Sequence, residues 1–234
     1  MTELHKESRK ISRLNAKPLH RALKEWYAQP KDQFEVSVDG FVVDIVRGDL
    51  LVEIQTRNFA AMKPKLDKLI VHHPLRLVYP IPREKWIIKL AEDGISQLSR
   101  RKSPKRGAFE DVFEELVSFP KLLMNPNFSI ELLLIQEEEL RRYESTRGWW
   151  RKRWVTQERR LLRVVERRSL ETPAHIGALI PAALAEPFTT ADLAIAIAKP
   201  RRLAQKMVYC LRLMGYITQV GKRGNAILYT QTMT

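Results

Sequence analysis

Residues 35–55 decide the fold of the N-terminal half of this chain, and they read EVSVDGFVVDIVRGDLLVEIQ. Three apolar, β-branched runs are separated by Asp39-Gly40 and Gly48-Asp49, and such dipeptides between β-branched runs predict hairpin turns. Asp44 and Glu53 lie within the second and third runs. Burying an unpaired carboxylate is costly, and two acids on neighbouring strands repel each other unless a cation or a proton lies between them. A divalent metal ion shared by Asp44 and Glu53 is the simplest solution.

The two acids also have a purely structural interpretation. Asp44 could cap the hairpin through local hydrogen bonds, and Glu53 could face solvent on an ordinary amphipathic strand. The order of the neighbouring elements favours the metal. Apolar spacing predicts a helix over Leu19–Tyr27, a second helix over Lys63–Val71 and a strand over Leu75–Tyr79.

This arrangement resembles the PD-(D/E)XK nuclease superfamily over roughly the first 90 residues. The core of that family is a helix, a three-stranded meander, a helix and a further strand, with an acid on the second strand and Glu-x-Lys on the third. The resemblance implies an α/β fold: a restriction-endonuclease-like core with a mixed sheet flanked by helices. The lysine position holds Gln55 in this chain, and glutamine is a variant known there in some restriction endonucleases.

The resemblance also implies roles for individual residues. Asp44 and Glu53 would hold Mg²⁺ or Mn²⁺, which polarises the scissile phosphate and lowers the pKa of an attacking water. Gln55 would orient that water without bringing a charge. Arg57, Lys63 or Lys65 could supply the missing positive charge. Glu25 or Glu35 could assist the site as a further carboxylate.

Composition favours a polyanionic partner. The 234 residues carry a formal net charge of +14, and the basic residues are clustered, which is typical of nucleic-acid-binding proteins. The N-terminus lacks the apolar core of a secretory signal, no apolar run is long enough to span a membrane, and Cys210 is the single cysteine. We therefore expect a cytoplasmic protein with DNA as its partner and no membrane association. No Cys/His spacing suits zinc.

Two basic segments lie in the middle of the chain. Residues 99–107 combine five basic residues with a proline and a glycine, which predicts a loop. Arg101 and Lys102 would contact phosphates there, or the segment is simply a solvated loop. Residues 141–168 are the most basic tract, and their second half reads as a helix. Within this tract, Arg151, Lys152 and Arg153 lie among Trp149, Trp150 and Trp154. We expect these arginines and the lysine to bind DNA and the tryptophans to pack.

The last 60 residues have a separate pattern. Helices are predicted from His175 to Leu184, after Thr189 as far as Ala198, and from Pro200 to about Met214, followed by a hairpin over residues 216–229. Three helices and a two-stranded wing resemble a winged helix-turn-helix domain. That resemblance implies that the third helix reads bases and the wing tip contacts phosphates, through Arg201, Arg202, Gln205, Lys206, Lys222 and Arg223. A protein-docking role is the alternative.

The sequence thus predicts three parts: a nuclease-like domain over 1–140, a basic linker helix over 141–170 and a winged-helix domain over 171–234. The expected activity is metal-dependent hydrolysis of DNA phosphodiesters. The alternative is a protein of the same fold that has lost catalysis and acts as a DNA-binding or adaptor subunit. An RNA-directed nuclease is a third, weaker interpretation. The oligomeric state stays open, with a homodimer as one option.

Overall fold

The computed structural model describes residues 18–144 and 153–232. Six α-helices and nine β-strands lie in this part of the chain, with short 3₁₀ segments at Phe59–Met62, Phe109–Val112 and Pro120–Met124. The helices are α1 Pro18–Tyr27, α2 Lys63–Leu69, α3 Phe113–Leu116, α4 Pro173–Gly177, α5 Thr190–Ala196 and α6 Arg201–Leu213. The strands are β1 Gln33–Val38, β2 Phe41–Arg47, β3 Leu50–Ile54, β4 Leu75–Leu90, β5 Gln97–Lys102, β6 Phe128–Glu144, β7 Arg153–Leu170, β8 Ile217–Arg223 and β9 Ala226–Gln231.

A mixed sheet of seven strands forms the centre of the molecule. Its order is β1-β2-β3-β4-β6-β7, and β5 pairs with β4 beyond the end of β3. The pairs β3–β4 and β4–β6 are parallel, and the other pairs are antiparallel. A parallel pair needs a crossover connection, and α2 lies in the connection from β3 to β4. The prediction of an α/β fold with a mixed sheet flanked by helices is confirmed.

Turn chemistry sets the first hairpins as the sequence predicts. Asp39 and Gly40 both have positive φ, at 47° and 82°, which a two-residue turn of type I′ requires. The β2–β3 turn contains Gly48 at φ 56°. It fixes the register Arg47↔Leu50, Val46↔Leu51 and Ile45↔Val52.

Helix α1 covers one face of the sheet. Its buried Leu19, Leu23 and Tyr27 are four residues apart, so they lie on one side of the helix. They pack against sheet residues that include Ile45, Ile54, Val78, Leu133 and Ile135. The opposite face carries a larger cluster that contains residues of α2, α3 and α6, so the C-terminal helices share a continuous apolar core with the sheet.

The second halves of β4 and β6 extend well beyond β3. The strand predicted over Leu75–Tyr79 is the first part of a longer strand, β4, which continues to Leu90. Pro80 and Pro82 lie after the last pairing with β3 and before the first pairing with β5, so no ladder bond on that side needs their missing N–H groups.

Two predictions for the middle of the chain need correction. Residues 99–102 of the predicted loop belong to the edge strand β5, because they pair with β4, whereas residues 103–107, which contain Pro104 and Gly107, form a loop as predicted. Residues 153–170 are strand β7 rather than a linker helix. Register shifts in the β6–β7 pairing interrupt its two-residue alternation, so Leu161 and Val164 reach the same cluster at a spacing of three. That spacing imitates a helix.

The C-terminal elements follow the predicted order. Helix α4 is shorter than expected and begins after Thr172, whose side chain accepts a hydrogen bond from His175 N. Helix α5 begins at a capping box formed by Thr189 and Asp192. Helix α6 is followed by Gly215 at φ 73°, and β8 and β9 form the expected hairpin. Among the described residues, no helix combines the length and apolar character that crossing a bilayer requires.

Candidate active site

Asp44 and Glu53 meet where β2 and β3 separate. The β2–β3 ladder ends at Ile45↔Val52. Beyond it, Asp44 Oδ2 accepts a hydrogen bond from Ile54 N at 3.0 Å, and Glu53 Oε1 accepts one from Asp44 N at 3.2 Å. Each carboxylate therefore contacts the backbone of the strand that carries the other acid. The two acids lie next to each other, as predicted. The hydrogen bonds to Ile54 N and Asp44 N are local bonds of the kind that a purely structural role of Asp44 would also produce.

Helix α1 brings two further groups to Asp44. His20 Nε2 lies 3.1 Å from Asp44 Oδ2, and Lys24 Nζ lies 2.9 Å from Asp44 Oδ1. Lys24 Nζ also donates to Glu35 Oε1 at 3.1 Å. The residues four apart on α1 thus both face the acid, and Lys24 links the carboxylates of β1 and β2.

Helix α2 supplies the cation for Glu53. Lys65 Nζ donates to Glu53 Oε1, and it donates to the carbonyl oxygen of Val42 at 2.6 Å. Glu53 is 5% exposed, so its charge is compensated inside the protein rather than by water. We call the six side chains the charge cluster: His20, Lys24, Glu35, Asp44, Glu53 and Lys65.

The acids of the charge cluster have opposite pKa shifts. Burial would raise the pKa of Asp44, but the hydrogen bond and charge of His20 and the charge of Lys24 outweigh it and hold that pKa well below its ordinary value. Burial and the negative charge of Asp44 raise the pKa of Glu53, and Lys65 opposes this rise. Burial would lower the pKa of Lys24, yet Asp44 and Glu35 raise it above its ordinary value. Two acids side by side thus differ in their hold on a proton.

Backbone strain occurs at the same place. Glu35 has φ 56°, in the left-handed region that residues other than glycine rarely adopt. It lies between the pairs Phe34↔Ile45 and Val36↔Val43, opposite Asp44. A strained residue of this kind costs on the order of 1–3 kcal/mol and is retained where the surroundings hold it, often at functional sites. Here the strain accompanies the placement of a third carboxylate beside Lys24.

Other predicted site residues lie elsewhere. Gln55 Nε2 donates to the carbonyl oxygen of Asn58 at 3.2 Å, and Arg57 is exposed. Glu25 is exposed on α1, because it follows Lys24 by one residue and a helix turns about 100° per residue. Lys63 pairs with Asp67 on the surface. Of the three cations considered for the missing charge, Lys65 is the one that the structure brings to Glu53. His20 and Lys24 were missed, although their spacing of four beside Leu19 and Leu23 was a usable signal.

The two acids of this site offer carboxylate oxygens, the type of ligand that magnesium and manganese ions prefer. Mg²⁺ in proteins uses one or two carboxylates and keeps several waters, and Asp44 and Glu53 offer two carboxylates. Within residues 18–144 and 153–232, no group of three or more His, Cys, Asp or Glu side chains is placed to hold a metal. A cage of side chains, as in a structural zinc site, is therefore not formed by the described residues.

The predicted DNA-binding residues fall on separate surfaces. Arg101 and Lys102 are exposed on the edge strand β5. Arg201, Arg202 and Gln205 are exposed on α6, and Lys222 is exposed on β8. Arg151 and Lys152 lie outside the described residues, and only the backbone of Arg153 is described.

Two of the predicted DNA contacts are engaged within the protein. Lys206 Nζ donates to Glu114 Oε2 at 2.5 Å, and Arg223 lies 2.6 Å from Asp192 Oδ2. Lys199, just before α6, pairs with Asp111 at 2.8 Å. The pairs Lys206–Glu114 and Lys199–Asp111 join the C-terminal helices to the segment that carries α3.

Comparison with known proteins identifies a family. Residues 17–171 match a family described as a domain of unknown function (DUF8091). This chain belongs to the DUF8091 family. The DUF8091 match contains the whole seven-stranded sheet and the complete charge cluster. A relative from Treponema pallidum (strain Nichols), described as an uncharacterized protein, is 32% identical over 216 residues, which cover 90% of this chain and 83% of the relative. No solved structure matches the chain.

Proposed function

We propose that the chain is a metal-dependent deoxyribonuclease whose active site is the charge cluster. The observation that carries this proposal is the convergence of Asp44, Glu53 and Lys65 where β2 and β3 separate. Two acids with opposite pKa shifts beside the half-buried Lys65 are typical of a catalytic centre rather than of an ordinary hairpin. The resemblance of the element order to PD-(D/E)XK nucleases supports the same proposal.

Each residue of the charge cluster has a role in this proposal. Asp44 and Glu53 would hold Mg²⁺ or Mn²⁺, which when bound polarises the scissile phosphate and acidifies an attacking water. Lys65 places a positive charge at Glu53. It would replace the charge of the lysine that PD-(D/E)XK nucleases carry at the position of Gln55. His20 and Lys24 orient Asp44, because each bonds a different oxygen of its carboxylate. Glu35 fixes Lys24 from the other side.

The substrate of this proposal is DNA, held by basic surfaces of the molecule. The net charge of +14 favours a polyanion. Three short helices followed by a hairpin support a winged-helix function for residues 171–234, with Arg201, Arg202 and Gln205 exposed on α6. Lys206 and Arg223 bind acids of the protein itself, so we propose Lys222 rather than Arg223 as the main phosphate contact of the wing.

A second candidate function has its own supporting observation. Lys24 and Lys65 already neutralise Asp44 and Glu53, and Gln55 points to the Asn58 carbonyl. A charge cluster that is balanced by lysines also suits a protein that binds DNA without cleaving it, as a regulatory, repair or defence adaptor. The two functions make the same prediction for DNA binding and opposite predictions for cleavage.

A plasmid-nicking assay separates the two candidates. The purified chain is incubated with supercoiled DNA in Mg²⁺, in Mn²⁺ and in EDTA. We expect cleavage with either metal and none in EDTA. Asp44→Asn should slow cleavage by at least about a hundredfold, the usual scale for losing a group that stabilises transition-state charge. DNA affinity should be unchanged, because Asp44 lies away from the basic surfaces.

The matched control is Asp49→Asn. Asp49 is an exposed acid in the turn between β2 and β3, so it tests the loss of one negative charge in the same hairpin. We expect this variant to cleave like the wild type. Full activity in Asp44→Asn would contradict the proposal, and tight DNA binding by the wild type with no cleavage in any metal would establish the second candidate.

A further inference from the structure

The extended part of the sheet has a side that faces the same way as α1. This extended part consists of residues 84–90, 97–102, 136–144 and 154–163, which pair in the strand order β5-β4-β6-β7. Leu161 packs with the α1 cluster, and its pairing partner is Glu137. Paired residues project to the same face of a sheet. The face that carries Glu137 therefore continues the α1 side of the sheet, and we call it the platform face.

The two faces of this extension differ in charge. The platform face carries Lys85, Lys89, Arg101, Arg141 and Arg159 against Glu137 and Glu139, an excess of three positive charges among the described residues. The opposite face carries Arg100, Lys102, Arg106, Arg142, Arg160 and Arg163 against Glu84, Glu138, Glu144 and Glu158, an excess of two among the residues whose side chains are described. Five of those six cations are paired with acids.

The excess on the platform face is not neutralised locally. Lys85 and Arg159 share the buried Glu137, and Arg141 pairs with Glu139 at 2.6 Å. Arg101 and Lys89 form no ion pair with any described residue, and Arg101 is exposed. Lys89 and Arg101 are therefore available to bind an anion on this face.

Aromatic rings lie among these cations. The Tyr143 and Trp154 rings are 5.6 Å apart in an edge-on arrangement, and Lys89 Nζ lies 4.5 Å from the centre of the Trp154 ring. All three side chains are half-buried. Aromatic rings beside basic side chains on a sheet suit unpaired nucleic-acid bases, because bases stack on rings while cations neutralise the backbone. Duplex DNA keeps its bases stacked on each other and offers no such partner.

The platform face lies on the side of the sheet that carries α1, where His20 and Lys24 contact Asp44. Glu53 lies between Val52 and Ile54 of the α1 cluster and meets Lys65 of α2 on the other side. Tyr27, in the last turn of α1, bonds Glu131 near the start of β6, whereas His20 in the first turn bonds Asp44. Asp44 bonds Ile54 N, Ile54 pairs with Val78, and Val78 pairs with Glu131, so the two contacts lie at the same level of the sheet and α1 crosses it from β2 toward β6. Val78, which pairs with Ile54, and Lys85 are seven residues apart on β4, or roughly 23 Å at about 3.3 Å per residue.

We propose that the platform face binds single-stranded DNA and directs an unpaired strand along the α1 side of the sheet toward Asp44. This proposal rests on the proposed nuclease function and specifies its substrate as DNA with a single-stranded segment. Trp154 and Tyr143 stack on bases, and Lys89 and Arg101 contact the backbone phosphates.

The test is a binding measurement in EDTA, so that cleavage plays no part. Fluorescence anisotropy of labelled oligothymidylate and of a duplex of equal length is measured with the full chain. Trp154→Ala should weaken oligothymidylate binding about tenfold, within the range of one base–aromatic stacking contact. It should change duplex binding less than twofold, and Trp154→Phe should restore most of the affinity for the single strand.

The control is Trp86→Ala on the opposite face. Trp86 is also half-buried and also lies under cations, with Arg100 5.3 Å and Lys102 5.2 Å from the ring centre. We expect it to leave oligothymidylate binding within about twofold of the wild type. Equal losses in Trp86→Ala and Trp154→Ala, or no loss in Trp154→Ala with its fold verified by circular dichroism, would overturn the proposal. Failure here together with metal-dependent cleavage that Asp44→Asn abolishes would remove the platform and leave the nuclease function standing.

Discussion

Replacing Lys65 by methionine tests how strongly the charge cluster is coupled to the fold. The side chains of Lys65 and Glu53 are 15% and 6% exposed, so the variant leaves a carboxylate without its cation in a nearly closed site. Removing one partner of a buried pair costs about 3–5 kcal/mol in the free energy of unfolding. Methionine keeps most of the apolar stem, so little packing is lost.

Lys63→Met is the matched control on the same helix. Lys63 pairs with Asp67 at 2.6 Å, but these side chains are 51% and 44% exposed. Exposed pairs four residues apart on a helix contribute only about 0.3–0.5 kcal/mol. Urea denaturation in EDTA, followed by circular dichroism at pH 7, should therefore separate the two variants by several kcal/mol.

The effect of Lys65→Met should depend on pH in a defined direction. Burial and Asp44 raise the pKa of Glu53 in the folded protein, and loss of Lys65 removes a group that opposes the rise. A group whose pKa is raised on folding stabilises the fold while it is protonated, and this contribution is lost as the pH rises through the folded pKa. The variant should therefore be closest to the wild type near pH 5 and furthest from it at pH 7.

A double variant completes this test. Glu53→Gln combined with Lys65→Met removes both charges, so it should recover a large part of the stability that Lys65→Met loses at pH 7. Equal stability of Lys65→Met and Lys63→Met at pH 7 would refute the reasoning. So would a loss in Lys65→Met that is the same at both pH values and is not reduced by Glu53→Gln.

Two further predictions concern Asp44 and the exposed basic residues of α6 and β8. The pKa of Asp44 is lowered on folding, so its ionised form stabilises the protein above the ordinary pKa of 3.8, and this stabilisation is lost as the pH falls through the folded pKa. Asp44→Asn should therefore flatten the acid side of a plot of melting temperature against pH. An unchanged plot would contradict this prediction. Lys222→Ala should weaken binding to all DNA sequences alike and reduce the salt slope by about 0.9, whereas Arg202→Ala should cost about 1–3 kcal/mol on a preferred site found by selection and little elsewhere. Identical behaviour of the two variants would mean that α6 does not read bases.

The sequence predicts the local elements of this fold well and their long-range pairing less well. The hairpins at Asp39-Gly40 and Gly48-Asp49 depend on backbone φ values that neighbouring residues determine, so they are visible in a short window. Strand β7 is not, because its apolar spacing reflects shifts in its register with β6. Those shifts depend on a partner strand, and no local pattern of β7 contains them.

The candidate site divides in a similar way. Asp44 and Glu53 could be predicted because an acid within an apolar strand needs a partner wherever it is found. The identity of the partner depends on how α1 and α2 dock on the sheet. Lys24 rather than Glu25 faces Asp44 because the apolar residues of α1 set its rotation, and Lys65 rather than Lys63 reaches Glu53 for the same reason in α2. Docking geometry of this kind involves tertiary contacts that the motif does not specify.

Moving the positive charge from position 65 to position 55 is the most direct test of the proposed nuclease function. Single-turnover cleavage of DNA in Mg²⁺ is measured for the wild type, for Lys65→Met and for Gln55→Lys combined with Lys65→Met, each after its fold has been verified. We predict that the wild type cleaves, that Lys65→Met is slower by about 10²–10³-fold, and that lysine at position 55 restores part of the lost rate. A wild type that binds DNA but does not cleave it, or a Lys65→Met variant as fast as the wild type, would contradict a nuclease centre built from Asp44, Glu53 and Lys65.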